Sequence, residues 1–324
     1  MMYFLVVGGF VLLLVGAEIM LRGAIGLADK FGISKLVVGM TVVAFGTSAP
    51  ELLVSLNASL SGSSGLAIGN VVGSNVANIL LVLGVAGLLM PITNEPGALK
   101  RDGWMLLLGT GLFMALSYRG EIDLIGGLVL LAYFIGFLVY SYMREKQGVD
   151  AAGEMYEHEV DEIEGVPHSL LKIMVFLVIG FAGLIYGADI LVEGGVAIAR
   201  TFGVDEAVVG LTVIAFGTSL PELAASVVAA IRKHADVAVG NVVGSNIFNV
   251  VGIVGVVAVI TPMEVPARVV NFDIWIMAAA TLILMPYMIG RREQLGRLEA
   301  GLFFAAYLIY IAAIGYGVET LIPA

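Results

Sequence analysis

Residues 39–60 read GMTVVAFGTSAPELLVSLNASL, and residues 210–231 read GLTVIAFGTSLPELAASVVAAI. At a constant offset of 171, 13 of the 22 positions are identical. The two stretches are copies, and the copying extends in both directions. AIGNVVGSNVANI at 67–79 matches AVGNVVGSNIFNV at 238–250, and GAEIMLRG at 16–23 matches GADILVEG at 187–194. The chain is therefore built from two homologous halves, and any fold must seat both.

The copied stretches are apolar, and so is the chain around them. Of 324 residues, 60% are apolar and only 13% charged, with a mean hydropathy of +1.03. A soluble domain is about 25% charged, so most of this chain faces lipid or other membrane helices. Gaps between charges give candidate spans near residues 3–21, 36–59, 66–91, 103–118, 122–142, 170–192, 207–230, 237–262, 272–290 and 298–320, each near the length needed to cross a bilayer. The first lacks a positive leading region, carries Glu18 near its end and has a copy later in the chain, so it reads as a span and not as a secretory signal. Cysteine is absent, which removes thiol chemistry and thiolate metal sites. The net charge of −10 argues against nucleic acid.

The resulting expectation is an all-α membrane protein of ten transmembrane helices. Residues 1–143 form one five-helix repeat and 169–324 the other. An acidic linker, 144–168, lies between them and holds Asp150, Glu154, Glu157, Glu159, Asp161, Glu162 and Glu164. Five is odd, so the second repeat enters the membrane from the opposite side. This inverted-topology arrangement is one used by secondary transporters, with substrate at the midplane where the repeats meet. Placing both termini outside puts Arg22, Lys30, Lys35, Lys100, Arg101, Arg144, Lys146, Lys172, Arg232, Lys233, Arg291, Arg292 and Arg297 in the cytoplasm. Only Arg119, Arg200 and Arg268 remain outside. Thirteen against three fits the positive-inside rule, and a multi-pass cell-membrane protein is expected.

The copied motifs place unusual chemistry at mid-span. Glu51 and Glu222 fall near the middle of their spans, where an ionised side chain costs several kcal/mol, about 2.5–3.5 even on lenient scales. The spans that carry them have no interior Lys or Arg to neutralise the pair. A transported cation supplies the missing charge most simply; a protonated, hydrogen-bonded glutamate is the alternative. Thr47 and Ser48 stand four and three residues before Glu51, on the same helix face, and Thr218, Ser219 and Glu222 repeat this spacing. Pro50 and Pro221 lack an N–H, so carbonyls near Ala44–Gly46 and Ala215–Gly217 are expected to be freed at membrane depth. Ser74 precedes Asn78 by one turn, as Ser245 precedes Asn249. The remaining asparagines of GNVVGSN, namely Asn70, Asn75, Asn241 and Asn246, serve either the site or helix packing. The donor set is all oxygen, which disfavours soft and transition metals and suits Ca²⁺ better than Mg²⁺, or the same oxygens shared among Na⁺ ions.

At these residues the sequence resembles the sodium/calcium exchanger family of the calcium:cation antiporters, in its prokaryotic form. The resemblance rests on GTSAPE (46–51) and GTSLPE (217–222), each followed by GNVVGSN, and covers nearly the whole chain. It implies exchange of Na⁺ for Ca²⁺ by alternating access, in which helices 1 and 6 slide past a core of the other eight. Carried over by motif, the cation ligands are Thr47, Ser48, Glu51, Ser74 and Asn78 with Thr218, Ser219, Glu222, Ser245 and Asn249, joined by the carbonyls of Ala44 and Ala215. No cofactor is implied: Ca²⁺ and Na⁺ are cargo, the lipid bilayer is a further partner, and one chain suffices for the site whatever the oligomeric state. Some relatives carry Asp where this chain has Asn249, which puts potassium co-transport in doubt here. Proton-driven relatives carry other motifs in place of Ser-x-Pro-Glu, which makes H⁺/Ca²⁺ exchange the second choice.

Two other classes compete. A cation channel also uses midplane oxygens, but commonly on an oligomer axis. An intramembrane protease needs a catalytic pair within the spans, whereas Asp102, Asp123, Asp189 and Asp273 stand at or near span ends and His158, His168 and His234 lie in polar segments. Glu18 and Asp189 are repeat-equivalent and either orient their helices, attract cations to an entrance, or sit as interfacial helix-end carboxylates. Trp104 and Trp275 read as interface anchors.

Overall fold

The computed structural model describes residues 2–93, 99–146, 165–201, 215–292 and 294–315. It is helical almost throughout. In chain order the helices are α1 (Met2–Phe31), α2 (Lys35–Thr47), α3 (Ala49–Leu60), α4 (Ser64–Leu89), α5 (Lys100–Ser117), α6 (Leu124–Lys146), α7 (Leu170–Thr201), α8 (Ala215–Thr218), α9 (Leu220–Ile231), α10 (Ala235–Ile260), α11 (Val269–Met288) and α12 (Arg297–Gly315). Among the described residues seven helices are long and apolar enough to cross a bilayer, and eight if α2 and α3 count as one broken span. Two of the expected spans fall short for identifiable reasons. Residues 103–117 of one lie in α5, whose first turn carries Lys100, Arg101 and Asp102. The span at 207–230 is described only from residue 215, and its apolar helix α9 is twelve residues long. Most of the acidic linker, residues 147–164, lies outside the described residues, as does the chain beyond 315.

Burial sorts the helices into layers. The central stretches of α4 and α10 are 83% and 78% buried, against 33% for α1, α6 and α7. These two helices carry the GNVVGSN copies and form the centre. The outer helices turn large apolar side chains outward, among them Phe4, Ile125, Leu171 and Ile309. In a bilayer these face hydrocarbon. Trp104 and Trp275 are half-exposed near helix starts, and Trp275 meets Tyr118 edge-on at 6.4 Å.

α1 and α7 lie against each other along a seam of glycine. A Cβ on Gly16 would come within 2.7 Å of the Gly183 carbonyl carbon. One on Gly180 would come within 2.5 Å of the Met20 backbone, and one on Gly187 within 2.7 Å of Leu13 N. Small residues permit backbones to approach this closely in membranes.

Two short antiparallel ribbons cross-link the halves. β1 (Ile92–Thr93), after α4, pairs with β4 (Gln294–Leu295), before α12. β3 (Met263–Glu264), after α10, pairs with β2 (Glu121–Ile122), before α6.

The helices are irregular where the motifs sit. α2 and α3 meet at a 45° bend at Ser48, whose φ and ψ of −87° and 10° leave the helix. Pro50, second in α3, has no N–H for the preceding turn. Ser219 repeats this with φ −87° and ψ 1°, ahead of Pro221. Wider π-type turns occur at Gly39–Val43, Ala77–Val82, Phe248–Ile253 and Val269–Asp273. The middle two are repeat-equivalent and hold Asn78 and Asn249.

Candidate cation site

The two broken helices and the two central helices bring most of the expected residues together. Glu51 and Glu222 are 1% and 0% exposed. Thr47, Ser48, Ser74, Asn78, Ser219, Ser245 and Asn249 are also buried, and Thr218 is half-buried. Ser48, in the gap between α2 and α3, donates to Glu222 Oε1 at 2.8 Å and lies 3.0 Å from Ser245 Oγ. Thr47 also hydrogen-bonds Glu222. Glu51 is held by Ser74 of α4 and Thr218 of α8. Glu222 is therefore braced by two hydroxyls from the opposite half, and Glu51 by one from the opposite half, Thr218, and one from its own, Ser74.

An outer set of amides supports this arrangement. Asn241 donates to Ser226 Oγ at 3.0 Å and to the Glu222 carbonyl at 3.5 Å. Asn70 donates to Ser55 Oγ at 3.0 Å and to the Glu51 carbonyl at 3.3 Å. Both anchor the first turn of the helix bearing the glutamate. Thr47 Oγ1 also lies 3.1 Å from Asn241 Oδ1, across the halves. Phe45, Phe134 and Phe248 pack together behind the site, with ring centroids 4.7–5.5 Å apart.

Several buried atoms are left without a hydrogen-bond partner among the described residues. They include Glu51 Oε2, Glu222 Oε2, Asn78 Oδ1, Asn249 Oδ1 and Ser219 Oγ. Buried polar atoms are normally paired, and each exception calls for a reason. Those at the expected ligands are two repeat-equivalent oxygen pairs, the Ser219 hydroxyl and the Asn249 Nδ2 donor, and neither glutamate is in an ion pair among the described residues. An oxygen cluster of this kind, with two carboxylates, is what a hard cation requires.

The carbonyl expectation needs correction at Ala44. Its oxygen accepts from Ser48 N at 3.0 Å and lies 3.3 Å from Thr47 Oγ1, so it is not freed. Pro50 removes the bond to Gly46, two residues further on, while the amide of Ser48 still reaches back to Ala44. Ala215 begins α8. Glu18 is not simply interfacial: it accepts from Arg22 at 2.9 Å and from Arg232, at the end of α9, at 2.9 Å. Asp189 is exposed. The π-type turns around Asn78 and Asn249 were not foreseen, because a single extra residue per turn leaves apolar periodicity almost unchanged over so short a stretch.

The family profile described as "Sodium/calcium exchanger protein" matches residues 1–143 and 172–316. The sodium/calcium exchanger MaX1 of Methanosarcina acetivorans is 32% identical over 342 residues, covering 95% of this chain and 97% of its own. The inner membrane protein YrbG of Escherichia coli is 33% identical over 314 residues, covering 96% and 95%. The solved structure of the sodium-calcium exchanger NCX_Mj, soaked without Na⁺ and Ca²⁺, superposes with a TM-score of 0.82 at 31% identity, covering 97% of this chain and 98% of that one. The chain is thus a multi-pass membrane transporter of the cation/Ca²⁺ antiporter kind and not an enzyme, and it belongs to the sodium/calcium exchanger family.

Proposed function

We propose that this protein exchanges Na⁺ for Ca²⁺ by alternating access at the site formed by Thr47, Ser48, Glu51, Ser74 and Asn78 with Thr218, Ser219, Glu222, Ser245 and Asn249. The observation that carries this reading is the set of unpartnered buried oxygens on Glu51, Glu222, Asn78 and Asn249. Two carboxylates neutralise one Ca²⁺, and the hydroxyl and amide oxygens complete a flexible shell of the size Ca²⁺ accepts. The same oxygens, divided, suit Na⁺. Ten membrane helices in two inverted five-helix repeats, 1–143 and 169–324 about the 144–168 linker, put this site at the midplane. The excess of Lys and Arg on one side places both termini outside the cell membrane. α1 and α7, sliding on the core, expose the site to each side in turn. The carbonyl of Ala215 adds an oxygen to the shell.

The test is uptake of calcium into sodium-loaded proteoliposomes. Glu51→Gln and Glu222→Gln each leave a divalent ion under-neutralised in a buried site, a loss on the order of 3–5 kcal/mol, or more than about 100-fold in affinity. Both variants are expected to retain the fold by thermal melting yet lose exchange at micromolar calcium, whereas Asp161→Asn in the linker keeps it. Near-normal exchange by Glu51→Gln removes that residue from the site. Sodium-independent calcium flux overturns the antiport reading in favour of a channel.

A further inference from the structure

The asparagines of GNVVGSN do more than fill space between the central helices. Asn75 and Asn246 are 1% and 0% exposed and face each other across the halves. Asn75 Nδ2 donates to the Asn246 carbonyl at 3.2 Å, and Asn246 Nδ2 donates to the Asn75 carbonyl at 3.5 Å. A backbone carbonyl can only accept. Each contact therefore decides which end of the side-chain amide is the NH₂ end. With its NH₂ committed to the backbone, Asn246 has its Oδ1 free to accept, and Asn78 Nδ2 donates to that oxygen at 3.1 Å. This in turn commits the NH₂ end of Asn78 and leaves its Oδ1 buried and unpartnered.

The orientation of Asn78 thus follows from a backbone group two links away. A carboxamide has nearly the same shape when rotated by half a turn. Without Asn246, Asn78 could turn its NH₂ toward a cation, which repels it. The equivalent link on the other side is open. Asn75 Oδ1 and both Asn249 side-chain atoms are buried with no partner among the described residues. They are an acceptor and a donor at the positions equivalent to the bond that Asn246 makes with Asn78.

We propose that Asn246 and Asn75 are positioning residues that set the orientation of the two ligand carboxamides, Asn246 for Asn78 and Asn75 for Asn249. The Asn246–Asn78 bond is made in this conformation. The Asn249–Asn75 bond closes when a cation draws Asn249 Oδ1 inward. The inference rests on the reading of Asn78 and Asn249 as cation ligands. It names residues that touch no ion but decide whether a ligand offers oxygen or NH₂.

The experiment is a double-mutant cycle read as half-saturating calcium and maximal rate in proteoliposomes, with melting temperature as a control for folding. Asn246→Ala is expected to raise half-saturating calcium by about 10- to 100-fold, the scale of one hydrogen bond to a charged group, while largely keeping the maximal rate. In an Asn78→Ala background the same change should add less than about twofold, because the group it orients is gone. Equal effects in both backgrounds, or no effect in either, overturn the positioning role alone. An unchanged half-saturation for Asn78→Ala by itself overturns the ligand reading and this inference with it. If Asn246→Ala does not fold, Asn75→Ala against Asn249→Ala forms the second cycle, with the same expected non-additivity.

Discussion

Glu222 is fixed by Ser48 and Thr47, and Glu51 by Thr218 and Ser74, so no carboxylate in the site is held by its own turn alone. That exchange of hydroxyls could be anticipated only in part. The spacing of Thr47, Ser48 and Glu51 puts them on one face, but side chains on one face of a helix need not bond one another. The break at Ser48 aims its hydroxyl at the opposite half. The titrating residue His234 lies in the short turn between α9 and α10. Burial, with Lys35 adding to the effect, lowers its pKa from 6.5 to about 4, and its Nε2 is buried without a partner among the described residues. The unfolded chain takes up this proton first as pH falls, so the stability contributed by neutral His234 is present above about pH 6.5 and is lost progressively toward pH 4. The loss reaches at most about 3–4 kcal/mol. Thermal melts in detergent should therefore show a slope between pH 7 and 4.5 that His234→Gln flattens. An identical slope in the variant would remove His234 as its source.

α1 and α7 form the seam on which the proposed movement depends. Gly16, Gly180, Gly183 and Gly187 line their mutual contact and let the two backbones approach closely, so that the two helices pack as one pair. Gly46, in the broken span, meets the ring of Phe181, and a Cβ on Gly217 would lie 2.5 Å from Val192 Cγ2. The motif glycines thus let α7 close over both breaks, a packing role that adds to backbone freedom. At the other end Glu18 ties α1 to Arg232 beyond α9. Gly180→Val forces α1 and α7 apart, since even a Cβ would lie 2.5 Å from the Met20 backbone. Overpacking of this kind costs about 1–3 kcal/mol, and transport should fall further than stability does, because the two helices must also move over the core as one closely packed pair. Measured as calcium uptake per folded molecule, a variant with normal uptake would mean that this contact is not used in the cycle. The repeated elements were legible because apolar length and the offset of 171 survive in composition. The 45° bend was signalled by Pro50. The π-type turns and the tight seam were not, since both depend on how neighbouring helices fit and not on any one helix's pattern.

Charge decides what the assembled protein can couple. Asn78 and Asn249 are both neutral, and the formal charge of the proposed site comes from Glu51 and Glu222 alone. The carboxylates Asp102 and Asp273 are engaged elsewhere. Asp102 pairs with Arg101 at 2.6 Å, and Asp273 pairs with Arg268 at 3.2 Å and accepts from Tyr310 at 3.0 Å. One bound Ca²⁺ therefore leaves the site neutral, and three Na⁺ leave it at +1. A cycle of three Na⁺ against one Ca²⁺ moves one net charge, worth about 2.3 kcal/mol per 100 mV if it crosses the whole membrane field. No third carboxylate stands at either asparagine position to help hold K⁺ beside Ca²⁺. Calcium uptake into sodium-loaded proteoliposomes should accordingly persist when external K⁺ is replaced by choline. It should accelerate when the interior is clamped positive, the direction in which outward movement of net positive charge is favoured. Asn249→Asp adds a charge at an oxygen already unpartnered, so it should tighten cation retention and slow release, lowering half-saturating calcium and the maximal rate together. An absolute requirement for K⁺, or uptake indifferent to the clamped potential, would break the link between these two neutral asparagines and the coupling.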